Sequence, residues 1–120
     1  MIFASFLEGE RPVGMEHGAI PDSQISASSS YSSSKPHYAR LNSQPVQRNR
    51  KGSWSAGSDG SSQWLQIDFG DQFTNVTCVA TQGRQDYPQW VTKYNLQYSN
   101  DAITFHFYTD EQGQAKVNYH

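Results

Sequence analysis

The stretch QWLQIDFG, Gln63 to Gly70, sets Leu65, Ile67 and Phe69 in alternation with Gln66 and Asp68. That period of two belongs to a β-strand with one face buried and the other in solvent. The same alternation recurs in QISAS (Ile25, Ala27), YNLQYS (Tyr94, Leu96, Tyr98) and TFHFYT (Phe105, Phe107). VTCVAT, Val76 to Thr81, is a continuous run rich in β-branched residues and predicts a more deeply buried strand. No stretch sustains a helical period. Turn signals separate the strands at Gly70-Asp71, Ser99-Asn100-Asp101 and Glu111-Gln112-Gly113, the middle one spaced as a hairpin connection. Strands spaced in this way predict an all-β sandwich or barrel.

A chain of 120 residues, 35% of them apolar, has room for one domain and one small core. Its net charge of -2 argues against nucleic-acid binding through bulk positive charge. No run of about 18 apolar residues is present, so no transmembrane segment is expected. The opening MIFASFLE is short and lacks a basic flank, which is not the pattern of a leader peptide. Cys78 is the single cysteine and has no partner in the chain for a disulfide; its apolar neighbours predict a buried, inert thiol. Asn75-Val76-Thr77 is an acceptor sequon for N-glycosylation, meaningful only in a chain that enters the secretory pathway.

The stretch from Ser26 to Ser62 is rich in serine and low in aliphatic residues, the composition of a linker. Tyr31, Tyr38, Leu41 and Trp54 interrupt it. Large rings at such intervals anchor loops to a core or face a ligand, so long ordered loops are expected. No acidic residue falls between Ser23 and Ser58, whereas Lys35, Arg40, Arg48, Arg50 and Lys51 all do. The loop region is locally cationic, as a solvated loop or as a patch that attracts anions.

Read in order, GMEHGAIPDSQISASSSY, ARLN, GSWSAGSDGSSQWLQIDFG and VATQGRQDYPQWVTKYNLQYSND closely resemble the discoidin family, also called the coagulation factor V/VIII type C domain. The likeness runs from about Pro12 to Gly113, and residues 12–120 are read as the domain, preceded by an extension over residues 1–11. The resemblance implies a jelly-roll-like antiparallel β-sandwich, galactose-binding-like, of about eight strands. It also implies hairpin loops projecting from one end to bind ligand. Members of the family are extracellular or cell-surface binding modules, so this chain is expected to serve cell adhesion without catalysis. The partners implied are an anionic phospholipid surface, a glycan, or an extracellular matrix or receptor protein. The alternative is a lectin-type carbohydrate-binding domain or the targeting appendage of a larger enzyme. Which of these holds depends on the loops, because one fold carries many functions.

In the family pattern the first loop falls within Tyr31 to Tyr38. Relatives that bind phospholipid or collagen commonly carry a tryptophan near its tip, where this sequence has Lys35, His37 and Tyr38. In relatives that hold a basic peptide terminus, a tyrosine at the position of Tyr31 and an aspartate at that of Asp59 line the pocket. The second loop, NSQPVQRNRKGSW, offers Arg48, Arg50 and Lys51 to phosphate or sulfate oxygens, the arginines by their bidentate fork. The third, TQGRQDYPQW, offers Arg84, Asp86 and Tyr87 for sugar recognition, unless Arg84 and Asp86 pair with each other. Trp54, Trp64, Trp90 and Tyr94 read as core or loop anchors.

Family members carry a pair of cysteines that staple the domain ends; Gly9 stands at the first position, and no second cysteine is present. They also continue through a strand rich in arginine and aromatics after the point where Lys116, Val117 and Tyr119 begin a strand. A domain incomplete at its C-terminus is therefore expected. His17, His37, His106 and His120 are scattered, with no HExxH, nucleophile elbow or phosphate-cradling glycine loop, so no catalytic residue is assigned. No spacing of oxygen ligands demands a metal, and no cofactor is expected.

Overall fold

The computed structural model describes residues 4–8, 11–12, 14–44, 52–70, 74–114 and 117–119. Within them every strand pairing is antiparallel, and the only helical segments are two single 3-10 turns, Asp22–Gln24 and Pro36–Tyr38. The fold is all-β. Two compact units divide it, Met1–Trp90 and Val91–His120.

In the first unit, β1 (Ala4–Glu8) lies between β2 (Arg11–Pro12) and β5 (Val76–Thr81) in a three-stranded sheet. The register runs from Ala4 opposite Thr81 to Glu8 opposite Val76, with an irregularity between Leu7 and Glu8. The segment ahead of the first family motif thus supplies a strand to the sheet. The continuous run VTCVAT is a strand, but at the end of the strand order rather than within it. Val76, Thr77 and Ala80 are exposed, which corrects the expectation of deep burial. An apolar run marks β propensity, and what packs on the faces of the strand decides burial. The Cys78 side chain lies outside the described set.

A second pairing joins β3 (Ile25–Ala27) to β4 (Leu65–Ile67), with Ile25 opposite Ile67 and Ala27 opposite Leu65. Leu65, Ile67 and Phe69 pack against a buried cluster of Met15, Ile20 and Ile25, the apolar face that their alternation requires. By the same parity Trp64 turns outward and is 49% exposed, and Trp90 is 51% exposed. Of the three tryptophans read as core or loop anchors in the family pattern, Trp54, 3% exposed, is the buried one. The entry to the cluster is a tight turn at Gly14, where φ is +102° and any Cβ would run into the Ala19 Cβ. There the Ile20 N–H donates to the Gly14 carbonyl at 3.2 Å.

Arg40 braces this turn from outside. Its Nη1 donates to the Met15 carbonyl at 2.9 Å, and its Nη2 donates to the Ile20 carbonyl at 2.8 Å and to Asp22 Oδ1 at 2.6 Å.

In the second unit β6 (Lys93–Asn95) pairs with β9 (Val117–Tyr119), and β7 (Gln97–Tyr98) pairs with β8 (His106–Phe107). The β7–β8 hairpin closes where the sequence placed a turn. Asp101 Oδ1 accepts from the Ile103 N–H at 2.9 Å, the Thr104 N–H at 2.8 Å and Ser99 Oγ at 2.9 Å. The backbone donors of Thr104 and Ile103, then the Ser99 hydroxyl, lower the Asp101 pKa from an ordinary 3.8 to about 2. A carboxyl depressed by folding stabilises the turn fully above its unfolded pKa, and that contribution disappears as pH falls through the folded value. The Ile103 and Thr104 amide resonances should therefore hold steady down to pH 4 and titrate with a midpoint near 2. A midpoint at the ordinary aspartate value would show that these bonds do not form.

Candidate functional site

The described parts of the serine-rich segment form two loops fastened to each other by serine side chains. Ser28 Oγ donates to Gln63 Oε1 at 2.8 Å and accepts from the Trp64 N–H at 2.9 Å. Ser29 Oγ donates to the same Gln63 oxygen at 2.5 Å and accepts from the Gly57 N–H at 2.9 Å. Gln63 Nε2 then donates to Ser58 Oγ at 3.0 Å. A short hydroxyl that both donates and accepts bridges two backbones at close range, which explains why serine rather than a bulkier residue recurs here. Gly57 belongs to the same close approach, since a Cβ there would meet the Ser30 carbonyl at 3.2 Å.

Trp54 is the keystone of this lacing. Its Nε1–H donates to the Ser29 carbonyl at 3.0 Å while the ring is buried. Backbone bonds continue the seam, from the Tyr31 N–H to the Ser55 carbonyl at 2.8 Å and from the Ser55 N–H to the Ser34 carbonyl at 3.2 Å. The loop then enters the Pro36–Tyr38 turn, with Pro36 at its start and the Tyr38 N–H bonded to the Lys35 carbonyl at 3.0 Å.

This frame presents Tyr31, 61% exposed, and Lys35 to solvent, and Asp59 is exposed on the partner loop. His37 and Tyr38 are half-buried, ring edge to ring face with centroids 4.5 Å apart, and His37 Nε2 lies 3.9 Å from Asp22 Oδ2. Arg40, one of the cations of the basic window, is 13% exposed and spent on the Met15 turn, so its role is structural. Sequence reasoning missed this, because its acceptors are carbonyls some 20 residues away, which no motif encodes. Arg48, Arg50 and Lys51 lie outside the described residues.

The third loop is a clamp on itself. Arg84 Nε and Nη2 hold the two oxygens of Asp86 at 2.7 and 3.0 Å, and Nη1 donates to Gln89 Oε1 at 3.0 Å. The Asp86 hydrogen bond raises the Arg84 pKa, against a smaller opposing effect of burial. The guanidinium carbon stands 5.3 Å from the Tyr87 ring centroid, a cation–π arrangement. Arg84 and Asp86 thus pair with each other, and Tyr87, 57% exposed, is the group the loop offers outward. Asn75 is exposed just before β5. Among the described residues no group of three or more His, Cys, Asp or Glu is placed to hold a metal ion. No helix among them is long and apolar enough to cross a membrane.

The F5/8 type C domain profile matches residues 24–120. Mouse lactadherin is 38% identical over 115 residues, covering 88% of this chain and 24% of that protein. Mouse retinoschisin is 37% identical over 116 residues, covering 91% of this chain and 50% of that protein. The human EGF-like repeat and discoidin I-like domain-containing protein 3 is 38% identical over 110 residues, covering 84% of this chain and 22% of that protein. The chain thus spans between about a quarter and a half of the curated relatives it matches. With a profile match over four-fifths of its length and an all-β antiparallel fold, the chain belongs to the F5/8 type C, or discoidin, domain family.

Proposed function

We propose that the chain is an extracellular, non-catalytic recognition module for cell adhesion that meets an anionic phospholipid surface through its first loop. The observation that carries this reading is the exposure of Tyr31 and Lys35 on a loop whose backbone is fixed by Ser29, Trp54 and Ser55. A phenol ring is at home at the level of lipid headgroups, and an ammonium beside it is drawn to their phosphates. A loop held rigid before contact loses little entropy on binding. Arg48 and Arg50 of the second loop carry further positive charge that an anionic surface would attract. Membership of the family supports the extracellular, binding character of the module.

Co-sedimentation with vesicles containing an anionic phospholipid, against neutral phosphatidylcholine vesicles, over a salt series tests it. Binding should be selective for the anionic vesicles and weaken steeply as ionic strength rises. Lys35→Glu removes about 1 kcal/mol of attraction and adds comparable repulsion, a loss of about tenfold or more in affinity. Equal binding by wild type and Lys35→Glu would sink the reading.

A carbohydrate ligand is the second reading, favoured by Tyr87, whose exposed ring is steadied by Arg84. Binding at that loop would resist salt and be competed by free monosaccharide. A glycan panel blank across neutral and acidic sugars would remove it.

A further inference from the structure

We propose that His37 is a second, proton-gated cation of the first-loop contact, so that acidification from about pH 7.5 to about pH 5.5 tightens its hold on an anionic lipid surface. The inference rests on the lipid reading above and adds a regulator to that same site.

His37 follows Lys35 by two residues and sits at the centre of the Pro36–Tyr38 turn. Its ring is partly exposed and is met from two sides. Tyr38 lies against it edge to face, with centroids 4.5 Å apart and planes at 71°. On the Asp22–Gln24 turn, Asp22 Oδ2 lies 3.9 Å from His37 Nε2. The other oxygen of that carboxylate, Oδ1, accepts from Arg40 Nη2 at 2.6 Å.

This arrangement determines what a proton on the imidazole does. Asp22 and Arg40 already balance each other's charge, so the proton adds a positive charge to the loop rather than neutralising a lone anion. The carboxylate gives the imidazolium an oxygen to face, at ion-pair rather than hydrogen-bond range. β3 packs on the same turn and brings Ile25, Ser26 and Ala27, none of them charged. Among the described residues, then, Asp22 favours the proton, Arg40 beyond it and Lys35 beside it oppose it, and Tyr38 supplies a neutral ring. Two residues of chain span at most about 7 Å, which is inside the screening length of about 8 Å at physiological ionic strength. Charge on His37 is therefore felt at a surface that Lys35 meets, without the ring leaving its turn. Linkage follows, because a surface that holds the protonated form more tightly must also draw a proton onto the chain.

The test is co-sedimentation of the full chain, at constant salt, with phosphatidylcholine vesicles containing phosphatidylglycerol, whose phosphodiester stays ionised at about pH 7.5 and at about pH 5.5 alike. Wild type should bind about fivefold more tightly at the lower pH, the effect of one added charge near an anionic surface. His37→Gln should lose that gain. His37→Lys should bind at both values as wild type binds at the lower one. His17→Gln and His106→Gln, which replace exposed rings, should keep the gain. Calorimetry in buffers of different ionisation heat should show proton uptake on binding by wild type and none by His37→Lys. Wild type that binds equally at both values, a gain that survives in His37→Gln, or equal proton uptake by wild type and His37→Lys would overturn the inference and leave the lipid contact standing. No binding at either value would sink the lipid contact itself, and this inference with it.

Discussion

Trp54→Ala is expected to cost about 4 kcal/mol of stability, the range found when a buried tryptophan is truncated in a packed interior. The ring is 3% exposed, so its removal leaves a cavity. The Nε1–H bond to the Ser29 carbonyl is lost with it, leaving that acceptor without its donor. Two loops depend on this residue, since Ser29 also ties Gly57 and Gln63. The variant should therefore lose vesicle binding along with stability, although Trp54 itself touches no ligand. Trp54→Phe keeps most of the ring and removes only the donor, so it should fall about 1 to 2 kcal/mol below wild type. Urea titrations followed by tryptophan fluorescence give both numbers, and an alanine variant within 1 kcal/mol of wild type would contradict the packing described above.

Arg40→Ala should cost about 3 kcal/mol, because three charge-assisted bonds vanish at once and two carbonyls beside the core lose their partner. Those carbonyls belong to Met15 and Ile20, both members of the buried cluster that receives Leu65, Ile67 and Phe69. Arg40→Lys should recover little, since an ammonium lacks the planar fork that reaches Met15, Ile20 and Asp22 together. If lysine restored full stability, the contribution would be charge alone, through Asp22. A distinguishing readout is vesicle binding per folded molecule. Arg40→Lys should bind normally once folded, whereas Lys35→Glu should fold normally and bind poorly.

The elements that rest on local pattern were legible in the sequence. Alternation in QISAS and QWLQIDFG gave β3 and β4 and named their inward residues, because a period of two fixes which side chains share a face. The turn at Ser99-Asn100-Asp101 was legible because an aspartate side chain caps its own following amides. The ordered motifs carried the family. What was not legible depends on partners distant in the chain. β5 reads as buried until β1 is found to be its single strand neighbour among the described residues. Arg40 reads as one more cation of a basic window until the carbonyls of Met15 and Ile20 are placed beside it. Trp64 faces outward by the parity of QWLQIDFG, whereas no period places Trp54, and only the lacing of the loops shows it to be buried. Within the third loop, the Arg84–Asp86 pairing was open in the sequence because two residues at that spacing can face a ligand or each other.

The most direct test of the central claim, that the laced first loop is the contact surface, is an amide NMR footprint of the labelled chain with anionic lipid nanodiscs. Residues 29–38 and 55–59 should broaden first, led by Tyr31 and Lys35, and the effect should fade with added salt. Broadening confined to residues 84–90, or to the β7–β8 hairpin, would place the contact elsewhere and contradict the account.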